Sequence, residues 1–575
     1  MLRKFPVFII LILVSGLFIN SFSYASTTLS QDFIDVPKNS WAYEDVHRLR
    51  ELNITYGIGG NRFGFGQTIS RGEFLTFLVR LMGWDIIKPE KGSFLDNMDP
   101  THNFYGTIET ALLHGVITKD SDYFRTDDAI TREEIAIMIV RTLGYDTLAK
   151  QLNSLEKPFE DIVRHFGYIT IGKDLGIIAG DGINFYPNDK ATREQAAAMM
   201  MRMYNKLTAP LEELHAFYAI SSLSQIDKFP DFDSVSFGWA RIEYDETSDK
   251  VFVNTNGGSN EYYIPTGFSQ VIEKAENSNL TRQLMFFIRD QDVYNAETEK
   301  NLKLTEYIIL NPEVRKQIIK EMVSLVNHTE KHGSTVEFDG LVADFEGLRG
   351  KEISQAYNLF LSELKEELAK TQKSLYVAVH PKRKPGQAYY DGYDYRTIGE
   401  IADKVILMAH DYAATSLTDT DMNKGYTDTP VTPFDDIYYA LKSITDPVSG
   451  VKDTDKIWLQ LSMDAVQWKL IDGKVINRYP YRPTYEQLYN RFLTGVSLNY
   501  SLFSQNPYAI FASEEGARNI IWYENQQSIA AKIKLAKLFG IKGLSLWRLG
   551  NIPDYADTPQ MELQLNIWKE IINNY

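Results

Sequence analysis

The chain has 575 residues, 44% hydrophobic and 24% charged, which is too long for one ordinary domain and globular in composition. A formal net charge of −16 speaks against nucleic acid as a partner, because phosphate binding needs clustered Lys and Arg. Cysteine is absent, which excludes disulfides, a thiol nucleophile and thiolate metal sites together.

In chain order the first element is a leader. MLRK places positive charge at Arg3 and Lys4, the apolar run PVFIILILVSGLFI follows, and Ser23-Tyr24-Ala25 offers small residues where a signal peptidase reads. This predicts a signal peptide over 1–25 and a secreted protein. An uncleaved anchor is the alternative, since the run nearly reaches across a bilayer. No later segment is apolar for long enough to span one, so the mature chain is expected to have no transmembrane segment.

Three repeats follow. ISRGE starts at Ile69, ITREE at Ile130 and ATREQ at Ala191, each 61 residues after the last (69 to 130 to 191). Upstream of each lie a Phe-x-Asp, at Phe33, Phe94 and Phe159, and an amphipathic helix pattern. Ser70, Thr131 and Thr192 occupy N-cap positions, with Glu73, Glu134 and Gln195 three places on, so each repeat predicts a capping box. An Arg follows every cap: Arg71, Arg132 and Arg193. Arginine in a first turn opposes the helix dipole, so its recurrence suggests a use such as gripping an anion.

These units resemble S-layer homology (SLH) domains. The resemblance implies a mostly α, three-pronged module that holds a pyruvylated secondary cell-wall polymer, with Arg71, Arg132 and Arg193 on the acidic sugar. It divides the region into repeats at 31–92, 93–155 and 156–208, a linker at 209–233, and an S-layer-associated, cell-wall location. The second repeat lacks the loop glycines of the first (57–60) and third (180–182), which makes its pocket the expected weak one.

From 234 to 575 short β-rich runs alternate with helical stretches, the pattern of an α/β (β/α)8 TIM barrel. VSFGWARIEY (235–244) reads as the first strand, and VFVNTN (251–256) or EYYIP is the poorly marked second. EFDGLVADFE (337–346) reads as the fourth. Its alternation sends Leu341, Ala343 and Phe345 to one face, and Val342, Asp344 and Glu346 to the other. Function in such barrels sits at strand C-termini, which here carry Asp344, Glu346, His380, His410, Asp411, Gln460, Asp464, Trp547 and Arg548. Two acids among aromatics fit glycoside chemistry, and two acids close together hold one proton at neutral pH. His380, before Pro381, reads as structural. Metal-ligand spacing is missing, and neither a metal nor a cofactor is expected.

DGLVADFE, LMAHDY and GLSLWRLG, in that order, resemble family 18 glycoside hydrolases, the chitinase-like enzymes. YDYRTIGEIADKVILMAHDY and IWYEN are similar to the branch with spore-cortex peptidoglycan hydrolases. The resemblance implies Glu346 as general acid/base, Asp344 orienting the substrate acetamido group that acts as nucleophile, and Asp411 contacting that same group. It also implies substrate contacts from Trp547, His410, Met408 and Asp339. Two residues depart from the pattern: Val342 stands in place of an Asp, and His410 in place of a Tyr. The expected activity is cleavage of a β-1,4 bond beside an N-acetylhexosamine in peptidoglycan or chitin-like glycan. A glycan-binding or structural surface protein is the alternative.

Overall fold

The computed structural model describes residues 32–575 apart from 153–156, 259–260, 290, 296–298, 383, 385–390, 514–515 and 560. The leader expected at 1–25 lies outside the described residues.

Seven helices build the N-terminal module: α1 Tyr43–Glu51, α2 Arg71–Leu81, α3 Tyr105–Leu113, α4 Arg132–Thr142, α5 Asp146–Leu152, α6 Phe166–Asp174 and α7 Arg193–Thr208. Helices α2, α4 and α7 open with complete capping boxes at Ser70, Thr131 and Thr192, as the spacing predicts. The residues just before the caps then close a ring. Ile130 N donates to Ile69 O, Ala191 N to Ile130 O, and Ile69 N to Ala191 O, at 3.0, 3.0 and 3.1 Å. The three repeats therefore surround one axis, each hydrogen-bonded to both others. Asp35, Asp96 and Asp161 of the Phe-x-Asp motifs accept from backbone N–H groups of their own repeats' loops, at Phe63, Phe124 and Phe185 respectively.

The arginines after the caps have a structural use. Arg71, Arg132 and Arg193 each reach into the next repeat around the ring. Their Nε groups donate to the carbonyls of Phe124, Phe185 and Phe63, and their guanidinium groups lie over the same three rings. Arg71 also pairs with Glu134 at 2.5 Å, and Arg193 with Glu73 at 2.6 Å. Arg132 faces the repeat whose box ends in Gln195 instead of Glu, and its second contact is the Ala179 carbonyl. Arg193 is 3% exposed. Arg193→Ala is expected to cost about 2 kcal/mol, the scale of a lost charge-assisted hydrogen bond. Calorimetry of the full chain checks this, and an unmoved first transition would count against it.

Eight parallel strands close the barrel: β1 Glu213–Tyr218, β2 Ser234–Asp245, β3 Thr281–Ile288, β4 Gly340–Asp344, β5 Ser374–Val379, β6 Lys404–Leu407, β7 Ile457–Ser462 and β8 Gly543–Trp547. Each pairs with its neighbours in order, and β1 pairs with both β2 and β8 to complete the circle. This corrects the start of the barrel. The segment 209–233 is no linker, because it contains β1. The run at 235–244 belongs to the second strand, and Lys250–Asn254 is an antiparallel extension of β2. From β3 onward the order agrees with the sequence reading. Burial on both faces, general for strands sheathed by helices, explains why ELHAFY lacks a clean alternation.

A five-stranded antiparallel sheet (466–471, 474–475, 497–501, 506–512 and 518–522) is inserted after β7. The repeat module docks against barrel helices Phe434–Ile444 and Gln526–Leu538. Lys206 Nζ donates to Leu538 O at 2.8 Å and Lys534 Nζ to Leu143 O at 2.6 Å, while Asp174 takes Lys442 and Tyr438. Among the described residues no helix is long and apolar enough to cross a membrane.

Candidate active site

The register of β4 decides which residues meet. Val342 joins an apolar cluster inside the barrel with Phe217, Met285, Ile406, Met408 and Trp458, whereas Leu341, Ala343 and Phe345 face the helices. Asp344, two residues on from Val342, ends the strand on the inner face at 5% exposure, and Glu346 follows at the rim with its side chain 47% exposed. Trp547 at the end of β8 and Phe287 of β3 roof the cluster, and Tyr262 stacks on Phe287 with ring centroids 4.8 Å apart. Trp547 meets Phe217 edge-on at 5.2 Å. Asp344, Glu346, Met408 and Trp547 therefore all lie toward this end of the barrel.

Asp339 does not. It precedes the first residue of β4, at the opposite end of the barrel, where its Oδ2 accepts from Arg282 N at 2.8 Å and Arg282 Nε at 3.2 Å. At ~3.3 Å per strand residue it lies about 16 Å from Asp344. Its place beside the acids in the sequence is a place at the wrong end of the strand. His380, read as structural, moves the other way, with Nε2 3.5 Å from Glu346 Oε2. Tyr262 lies in EYYIP, read as a candidate second strand and found in a connection instead, and Arg482 lay outside the sequence reading because it comes from the inserted region. Arg482 shares a cavity with His410, Asp411 and Asp464.

The two acids sit in different media. Burial, then the neighbouring Glu346 charge, pushes Asp344 well above the ordinary carboxylate range, against a smaller pull from His410. Its Oδ1 has no hydrogen-bond partner among the described residues. An Asp at position 342 could have supplied one, and Val342 cannot. Burial and then the acids Asp344, Glu261 and Glu346 likewise raise the Tyr262 phenol. Across the mouth, His410 has both ring nitrogens engaged: Nδ1 lies 2.8 Å from Asp411 Oδ2 and Nε2 2.6 Å from Gln460 Oε1. The expectation that His410 donates to substrate therefore meets a ring with no free nitrogen. Asp411 is burdened by desolvation, yet its contacts with His410 bring it below the usual range. A buried acid with a raised proton affinity beside an exposed one, over an aromatic floor, suits proton delivery to a leaving oxygen while a buried polar group orients the substrate.

Residues 243–551, more than half of the chain, match the profile of Glycosyl hydrolases family 18. The chain belongs to glycosyl hydrolase family 18. Residues 32–75, 98–136 and 158–197 match the S-layer homology domain. The barrel is thus a family 18 glycosyl hydrolase domain, and the repeats are S-layer homology domains. The chain is 27% identical over 281 residues to the cortical fragment-lytic enzyme of Bacillus subtilis, across 48% of this chain and 58% of that one. It is 30% identical over 192 residues to an amylopullulanase of Thermoanaerobacterium thermosulfurigenes, across 32% of this chain and 10% of that one. It therefore spans less than two thirds of either relative's length. Among solved structures, the spore cortex-lytic enzyme SleL of Bacillus cereus aligns at a TM-score of 0.47 and 19% identity, over 63% of this chain and 74% of that one. A chitinase of Chromobacterium violaceum aligns at 0.46 and 17%, over 64% and 99%.

Proposed function

We propose that this hydrolase is secreted, held on the cell wall by its repeats, and cleaves β-1,4 bonds beside an N-acetylhexosamine, with peptidoglycan as first substrate and chitin-like oligosaccharide as second. Glu346 protonates the leaving oxygen and later activates water. The substrate's acetamido oxygen attacks the anomeric carbon, Asp344 holds the acetamido nitrogen, Asp411 contacts the same group, and Trp547 floors the sugar. One observation carries this reading: Asp344 is buried with an unpartnered Oδ1, an acceptor that an amide N–H could satisfy, beside an exposed Glu346. The likeness to cortical fragment-lytic enzymes favours peptidoglycan. The full chain is incubated separately with purified peptidoglycan and with N-acetylglucosamine oligomers, and new reducing ends are measured. Release from peptidoglycan is expected to be the faster. Release from neither would defeat the reading, and release from oligomers alone would replace its first substrate with its second.

For anchoring, the proposed ligand is the pyruvylated secondary polymer. A cleft of about 220 Å³ lies between the first two repeats, lined by Arg71, Arg125 and Arg141 together with Tyr123 and Glu134. It includes the second repeat's loop, the one expected to form the weakest pocket, so a glycine-poor loop does not preclude a groove. Arg132 brings a guanidinium that donates to the Phe185 and Ala179 carbonyls, whereas Arg193 is buried against Glu73. The favoured grooves are therefore those of Arg71 and Arg132. The protein is expected to sediment with isolated walls and to stay in solution when the secondary polymer has been stripped from them. Equal retention on stripped walls would remove the polymer from this account.

A further inference from the structure

His410 is the member of the mouth whose surroundings specify its charge by geometry. Its side chain is 7% exposed. The Gln460 carbonyl oxygen only accepts, so Nε2 at 2.6 Å must carry a proton. An ionised Asp411 also only accepts, so Nδ1 at 2.8 Å must carry one as well. The amide of Gln460 is oriented from below. Its Nε2 donates to Ser545 Oγ at 3.4 Å, Ser545 Oγ lies 2.8 Å from His215 Nδ1, and His215 Nε2 lies 2.7 Å from Ser236 Oγ. His215 is fully buried, and desolvation brings it down to about 3, so its ring is neutral. With its amide nitrogen directed to Ser545, Gln460 leaves Oε1 for His410.

The groups facing His410 come from several elements. Asp411 follows β6, as does His410 itself; Gln460 belongs to β7 and Asp464 follows it; Asp344 lies on β4. Arg482 of the inserted region and His380 after β5 face Asp411. We propose that His410 is a positioning residue: a fixed imidazolium between Gln460 and Asp411 that keeps Asp411 ionised and aimed at the substrate, with no contact of its own to the sugar. Burial acts against the cation, but the Asp411 and Gln460 contacts outweigh it and raise the ring above its ordinary value. A raised histidine keeps its proton to higher pH than an ordinary one and loses it as pH climbs through the raised value, so the support of Asp411 is lost on the alkaline side.

The test follows the ring itself by NMR in the full chain with isotope-labelled histidine, the His410 signal being the one missing from His410→Gln. It is expected to titrate above an ordinary histidine, about 6.5. Gln460→Leu, which removes the acceptor, is expected to lower that midpoint, and Gln460→Glu, which adds an anion, to raise it; Gln460→Met replaces the Leu variant if that one does not fold. The alkaline limb of kcat/KM is expected to move in the same two directions. A midpoint at or below 6.5, or one indifferent to both substitutions, would overturn the proposal. The activity arm rests on the proposed reaction. If no glycan is cleaved that reaction falls, and the ring titration still decides the role of His410.

Discussion

Glu346→Gln lowers kcat by about a thousandfold, the middle of the range one general acid supplies, while oligosaccharide binding persists. The argument starts from the two environments. Asp344 is enclosed and pushed up, so it cannot leave its proton in the water-filled mouth; Glu346 is half in solvent, at the rim where a glycosidic oxygen can reach it. Glutamine keeps the volume and one hydrogen bond of Glu346, but it has no transferable proton and cannot activate water. The loss therefore belongs to kcat, with KM nearly constant. Reducing-end assays for turnover and calorimetry for binding measure the two separately. A variant within tenfold of wild type would move the acid role elsewhere, and His380, 3.5 Å from Glu346, would then need testing.

The second large effect is on stability. Glu524, in the IWYEN stretch, is completely buried, and its Oε2 pairs with the buried Lys532 Nζ at 2.5 Å. The same carboxylate accepts from Ser528 Oγ at 2.5 Å, from Asn506 Nδ2 at 3.0 Å and from Thr432. Those partners join the inserted sheet, the helix 526–538 and the segment after β6. Glu524→Ala leaves a buried ammonium and two or three donors unpaired, which costs about 4 kcal/mol on the scale of broken buried ion pairs. Lys532→Met is expected to cost nearly as much, since it strands the carboxylate. The double replacement by Met recovers only part, because Thr432, Asn506 and Ser528 still lack an acceptor. Thermal unfolding of the three variants checks the order. A Glu524→Ala midpoint equal to wild type would show the cluster to be replaceable.

Much of the barrel was legible because its strands end in unusual residues. The alternation of Leu341, Ala343 and Phe345 against Val342, Asp344 and Glu346 placed the acids inside without any partner strand. The first strand was hidden. Leu211, Leu214 and Phe217 recur every third residue, which imitates a helix, and only pairing with β2 and β8 makes the segment a strand. Asp339 was misplaced because nearness in sequence does not give the direction of a strand. His410 was visible as an anomaly, but its role was not, since Gln460 stands 50 positions away and meets it only across adjacent parallel strands. The same holds for the repeat arginines. Their positions were plain, yet their partners sit in the neighbouring repeat, 53 to 130 residues distant.

Only Ala209–Glu212 separate α7 from β1, and Lys206, Lys534 and Asp174 bolt the two bodies together. These contacts and the short connection fix the barrel mouth relative to the repeats in this structure. The mouth stands at one height and one bearing above whatever the repeats grip, so the bonds within reach form a fixed patch set by the molecule's own dimensions. If the proposed function holds, such an arrangement confines cleavage to glycan within that patch, and the residence time on the polymer then sets how much wall each copy can reach.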